Sequence, residues 1–486
     1  MTITQLYWLA FLGYSALVIG LGISIYLKRK SAETTATFWS ADRNLSGWSS
    51  GLSISAGMMS VSWSCVYGVQ LFYWYGIGAI WLLLLPWLLT MGGFYIFAPM
   101  FRKLDAFSQP ELLGKRFGPK TRQLLAPPLI AVFIVWAGAE IYAAGLLIAP
   151  FLNVSLTTAL FLIALVVAVY SYTGGFEAVV STDKIQFALV ALFITIMAGI
   201  GLTAANFPDI GSLIDAGALA PKASPDLPQL LSPGIALIAM TFLAYLPGWI
   251  VETDIWVRLQ AARSDAEARK AIIITASNSM LFVGLMPLLT GLCALMLYPP
   301  VDGIVPPSLQ DGAVIFSVFM ADHAPAWLAI LLGTGLVAAA MSTVDTCSNI
   351  VALSFSYDLV EPAVKNRSRE WLSHFARLSS VGAVAAAFIY ALFTDSLWDI
   401  FYLSSGILTT TIFIPVIAAF RPSTSARQVQ LSVIFGFLGT LIFYFLESRG
   451  QLTGISPQWL ADTQVGYILY GFLCSLLGFF LGRKSN

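Results

Sequence analysis

Charge is what this sequence most lacks. Lys, Arg, Asp and Glu make up 10% of its 486 residues, against 58% hydrophobic. So little charge cannot cover the surface of the two or three soluble domains that the length would allow. Basic residues do not outnumber acidic ones, 25 against 25, which leaves no positive field to hold nucleic acid. The four cysteines, Cys65, Cys293, Cys347 and Cys474, are scattered without metal-ligand spacing and read as packing residues. The two histidines, His323 and His374, read as surface or capping residues. A basic leader with a small-residue cleavage site is also missing, so the first apolar run reads as retained. Alternating polarity is missing too, which argues against a β-barrel.

What is present is a succession of apolar runs about 20 residues long, the signature of a polytopic helical membrane protein. Thirteen candidate spans are read at 5–27, 47–71, 78–99, 123–150, 157–173, 177–204, 232–257, 271–298, 325–357, 372–393, 397–420, 428–447 and 464–482. The basic residues test this assignment, because they collect on the cytoplasmic side. Alternate loops and flanks hold 23 of the 25, from Lys28, Arg29, Lys30 and Arg43 through to Arg483 and Lys484. The opposite loops hold Lys222 and Arg449. The N-terminus is therefore expected outside and the C-terminus in the cytoplasm. The outer loops 205–231 and 299–324 read as connectors or as covers for a vestibule, the second with a short helix near 311–322.

Two spans read as interrupted. Span 2 carries Ser53, Ser55, Gly57, Ser60, Ser62 and Ser64 at its middle, which weakens a continuous helix. Span 7 carries Pro247 and Gly248, followed by Glu252 and Asp254, and a break is expected there. The two lie five spans apart, so each would open one of two five-span repeats. An odd number of spans per repeat inverts the second in the membrane, and paired broken helices in inverted repeats point to a transporter's central site.

Span 9 adds the stretch AAAMSTVDTCSN at residues 338–349. Lipid cannot satisfy such polar groups, so they must face protein, water or an ion. Neighbouring hydroxyls and a carboxylate supply the oxygen ligands that a small hard cation wants. Glu140 in span 4 is an isolated intramembrane acid, which either serves a site or bonds to a neighbouring helix.

Five segments in order now carry a resemblance: FWSADRNL at 38–45, KRFGP at 115–119, YTGGFEAVVSTD at 172–183, RLQAARS at 258–264 and the span 9 stretch. Together they resemble the sodium/solute symporter family, whose members take up sugars, proline, sialic acid and choline. The resemblance implies an all-α, LeuT-type five-plus-five inverted repeat. Residues 1–45 would form the first helix and a linker, 46–205 the first repeat, 206–231 an outer loop, 232–421 the second repeat, and 422–486 two further helices. It implies a sodium site between spans 2 and 9, made by the carbonyls of Ala56, Met59 and Ala339 and the hydroxyls of Ser342 and Thr343. A second ion site would use Asp183 and Thr346, with Asp345 standing where two-sodium members have a hydroxyl. Lys184 could pair with Asp183 in place of an ion.

Position matching places the substrate among Met58, Ser62, Trp63, Glu140, Tyr245, Trp249, Glu252 and Ser279, with Tyr402 and Ser405 near an outer gate. Trp63 and Trp249 beside Glu252 suit a cationic or zwitterionic amine through cation–π contact and charge pairing. The expected function is secondary transport without enzymatic chemistry. Sodium entry would drive uptake of a small polar solute across a plasma membrane, that of a bacterial inner membrane in particular, by a monomer in the lipid bilayer. Proton coupling through Asp183, Asp345 or Glu140 is the alternative. A sensory module or a channel stands further off, since the chain ends just past its last span and broken repeats suit alternating access.

Overall fold

The computed structural model describes residues 2–29, 43–106, 108–173, 176–364 and 368–483. Lys30, the start of the FWSADRNL segment, Gly174, Gly175, Lys365, Arg367 and Lys484 lie outside the described residues. Within them the chain is helical, with isolated bridges in place of strands. Nine helices are long and apolar enough to cross a membrane, ten if one bent pair is counted as a single span. Outside that count, Leu156–Val169 and Tyr467–Leu481 are shorter apolar helices among the described residues.

Span 2 is broken in its middle. It is α-helical over Gly47–Met58, leaves helical geometry at Met59 and Ser60, and resumes as a π turn over Val61–Tyr67 and an α-helix over Gly68–Tyr75. Ser60 is extended (φ −69°, ψ 158°) and its hydroxyl accepts from the Trp63 N–H at 3.1 Å. The serines that weaken the helix thus also cap its second half.

Span 7 is broken as well, but not where proline suggests. The helix Ile235–Trp249 runs through Pro247, and the bend of 41° falls between Trp249 and Thr253. Glu252 there is extended (φ −73°, ψ 124°). Gly248 serves packing instead of bending: a Cβ on it would lie 2.8 Å from Leu408 Cβ and 3.0 Å from the Thr409 nitrogen. The two breaks face each other, since a Cβ on Gly57 would lie 3.5 Å from Asp254 Oδ2.

Span 9 (Ala326–Leu353) packs against span 4 (Pro119–Leu152) and span 6 (Phe176–Ala204). Span 2 packs against span 6 and against span 8, whose first part is Asp265–Ser279. The C-terminal helices Ala426–Ser448 and Tyr467–Leu481 approach through glycine, where a Cβ on Gly471 would lie 2.3 Å from Thr440 Oγ1. Small residues let membrane helices pack this closely.

The two long loops meet over the end of span 2. Lys222 pairs with Asp311 at 2.8 Å and lies 3.3 Å from the Trp74 ring centroid. Trp74 Nε1 donates to the Asp311 carbonyl at 2.8 Å. This arrangement matches a cover better than a plain connector. The short helix expected near 311–322 forms at Ile315–His323.

Candidate functional site

The helix breaks of spans 2 and 7 open onto one cavity. It has a volume of about 70 Å³, room for several waters. Its wall is aromatic and acidic. Trp63 crosses Trp249 edge-to-face at 5.6 Å and Phe401 at 4.7 Å, and Trp87 meets Trp249 at 5.2 Å. The indole N–H groups of Trp87, Trp136 and Trp249 donate to Ser279 (2.9 Å), Ser404 (2.7 Å) and Ser405 (3.2 Å). Those bonds fix the ring orientations.

Three carboxylates line the same space, Glu140, Glu252 and Asp254, and the described lining holds no Lys, Arg or His. They differ in their partners. Glu140 accepts from the Ser62 hydroxyl and from the Ser62 N–H, 3.3 Å from each oxygen. Asp254 is ion-paired with Arg258, one turn further along the same helix. Glu252 is 2% exposed, and no hydrogen bond of its carboxylate occurs among the described residues.

Adjoining this cavity through Asp254 and Thr346 is a second polar cluster, centred on Asp183. Its Oδ1 accepts from Ser342 at 2.6 Å, and its Oδ2 from Ser53 at 2.5 Å and from Arg258 Nη2 at 3.1 Å. Arg258 also donates to Ser53 through Nε (2.7 Å) and to Thr346 (3.2 Å). Spans 2, 6, 7 and 9 are thus joined through one guanidinium, at side-chain exposures of 1% for both Arg258 and Asp183. A planar fork with five donors can satisfy two carboxylates and two hydroxyls at once, as an ammonium cannot. The cation at Asp183 is therefore Arg258, distant in sequence, and not the adjacent Lys184.

Of the five expected sodium ligands, Ala56 and Met59 lie at the span 2 break, and Thr343 lines the cavity onto which it opens. Ala56 lies in the last turn of a helix whose final carbonyls lack i+4 donors because the chain unwinds at Met59. Ala339, Ser342 and Thr343 are buried on span 9, which touches span 2. Thr343 lines the cavity, and its buried hydroxyl has no hydrogen-bond partner in the described structure. A buried hydroxyl without a partner fits an ion ligand, since leaving it unsatisfied is costly. Ser342 is shared, for the hydroxyl that donates to Asp183 keeps lone pairs for a cation.

The other expected positions divide. Met58, Ser62, Trp63, Glu140, Trp249, Glu252 and Ser405 line the cavity, while Tyr245, Ser279 and Tyr402 stand behind it. Tyr245 stacks on Trp249 at 4.4 Å and on Tyr402 at 5.1 Å, and Ser279 holds Trp87. Thr346 lines the cavity and bonds Arg258. Asp345 turns elsewhere: Oδ1 accepts from Ser171 at 2.7 Å, and the residue lines a separate small cavity with Arg377. Cys347, read as a packing residue, lines the main cavity. Sequence reasoning missed Trp87, Trp136, Phe401 and the pairing of Asp254. Helical spacing held a signal for two of them, because Trp136 is one turn from Glu140 and Phe401 one turn from Ser405.

Paired broken helices around one cavity define the class, a secondary transporter of the LeuT-type fold. The comparisons agree. The model of the sodium:solute symporter family matches residues 38–421. The sodium/glucose cotransporter of Vibrio parahaemolyticus is 29% identical over 77% of this chain and 71% of its own length. The sodium/sialic acid symporter of Aliivibrio fischeri is 22% identical over 82% and 80%. The sodium/pantothenate symporter of Haemophilus influenzae is 24% identical over 97% and 95%. A solved structure of a sodium-coupled sialic acid symporter, outward-open and substrate-bound, superposes with a TM-score of 0.72. It is 18% identical and covers 97% of this chain and 98% of that one. The chain belongs to the sodium:solute symporter family, a family of transporters, and sodium is its coupling ion.

Proposed function

We propose that this symporter takes up a small organic cation together with sodium. The observation that carries the reading is the cavity lining: crossed tryptophans beside carboxylates, with no basic side chain among the described lining residues. An ammonium over an indole face gains about 0.5–2 kcal/mol, more as water is excluded. Glu252, buried at the cavity wall, is the natural counter-ion.

Sodium binds at Ala56, Met59, Ala339, Ser342 and Thr343 and organises the break in span 2. Asp183 and Thr346 hold Arg258 in place of a second sodium. Asp345 is a separate polar site. Binding of both ligands favours closure, and the broken spans rock against the rest of the bundle. The N-terminus lies outside, the basic loops face the cytoplasm, and the protein works as a monomer in a bacterial inner membrane.

The test is a thermal-shift screen of the purified protein against amines, amino acids, sugars and carboxylates, with and without sodium. Stabilisation by organic cations that needs sodium is expected. E252Q should weaken it ten- to a hundredfold. Stabilisation by sugars or organic anions instead would overturn the proposal.

A further inference from the structure

The cavity holds more acid than one cation needs, and the three carboxylates have different surroundings. Asp254 is ion-paired with Arg258, which it shares with Asp183. Glu252 has no hydrogen bond among the described residues and faces the cavity. Glu140 stands at the start of the second half of span 2. That half begins at Val61, and with the helix that follows it runs on to Tyr75. Its first N–H groups have no intrahelical partners and form its positive end. The Ser62 N–H points at both Glu140 oxygens, and the Ser62 hydroxyl donates to the same carboxylate. The N-terminus of a half-helix at the midplane is where transporters of this architecture receive an anionic group of their solute. Here a protein side chain, 1% exposed, already fills that place.

Resting on the cationic reading above, we infer that Glu140 stands in for a substrate carboxylate. The transported solute is then a cation without a carboxylate, balanced by Glu252, and zwitterions are rejected. A solute carboxylate would meet a helix end already satisfied and a second negative charge beside it. Glu140 acts as a specificity residue, while Glu252 supplies attraction.

Choline and glycine betaine test this, since they share a trimethylammonium head and differ in a hydroxymethyl or carboxylate end. Binding to the purified protein is measured calorimetrically in saturating sodium. The wild type should prefer choline to betaine by tenfold or more. E140Q, which keeps the shape and removes the charge, should narrow or reverse that ratio, and E140A should do so further by opening room. Retained stabilisation by sodium shows that each variant is folded. Equal binding of choline and betaine by the wild type overturns the role of Glu140 without any variant. An unchanged ratio in both folded variants does the same. If the wild type binds neither and no other organic cation, the cationic reading itself falls.

Discussion

Thr343 provides the sharpest test of the sodium site. Its hydroxyl is buried without a hydrogen-bond partner in the described structure. Replacing it with valine keeps the shape and removes no bond from the protein. The effect should therefore fall on the ion. One oxygen ligand lost from a cation is comparable to a hydrogen bond to a charged group, about 1.5–3 kcal/mol, or roughly 10- to 150-fold in affinity. The linkage relation turns this into a stability. At a sodium concentration about 100 times the wild-type Kd, sodium stabilises the protein by about 2.7 kcal/mol; a 30-fold weaker site leaves about 0.9 kcal/mol. Sodium titrations followed by thermal unfolding in detergent read this directly. T343V should match the wild type without sodium and lose most of the sodium-dependent shift, and T343S should restore it. S342A should behave differently, because that hydroxyl also donates to Asp183 at 2.6 Å. It should lower stability even without sodium. Equal sodium titrations for T343V and the wild type would refute the site.

Three further outcomes follow from the same geometry. R258M strands Asp183 and Asp254 in a buried network and should cost about 3–5 kcal/mol by thermal or denaturant unfolding; adding D183N should return part of that loss, and simple additivity would contradict the shared network. G248A drives a methyl to within 2.8 Å of Leu408 Cβ and 3.0 Å of the Thr409 nitrogen, so solute uptake should fall at least tenfold while T409A, on the other side of the contact, does not rescue it; normal uptake by G248A would mean that spans 7 and 11 are not held this close. Cys347 lines the cavity, so with Cys65, Cys293 and Cys474 replaced by alanine it should react with a small cationic thiol reagent, and an organic cation plus sodium should slow the reaction tenfold or more; labelling unaffected by either would place the solute elsewhere.

Much of the fold was legible because lipid imposes its rules on sequence. A spanning helix must be apolar for about 20 residues and satisfy its own backbone, so the runs announce themselves. The break in span 2 was legible through Gly57 and the serines, since Ser60 caps the new helix and Ser62 donates to Glu140. The break in span 7 was displaced. Pro247 stays inside the helix, and Gly248 serves close approach to span 11. Lys184 was a natural partner for Asp183 by adjacency, but neighbours on a helix point in different directions, and Arg258 reaches Asp183 from 75 residues away. Trp87 had no local mark to separate it from the many membrane aromatics. Only packing shows that Ser279, expected to touch solute, instead holds the Trp87 ring.

The symporter class rested on the resemblance of five segments to a known family; by itself the sequence determined a polytopic helical membrane protein with two broken spans, hydroxyls on span 9 and carboxylates inside the membrane. Those are properties of composition and spacing, which the bilayer constrains residue by residue. Tertiary structure decided what each carboxylate does. Asp183 and Asp254 share a guanidinium, Glu140 caps a half-helix, Asp345 turns to Ser171, and Glu252 faces the cavity. A charge in low dielectric takes its role from the groups within a few ångströms of it, and helices distant in the chain supply nearly all of those groups.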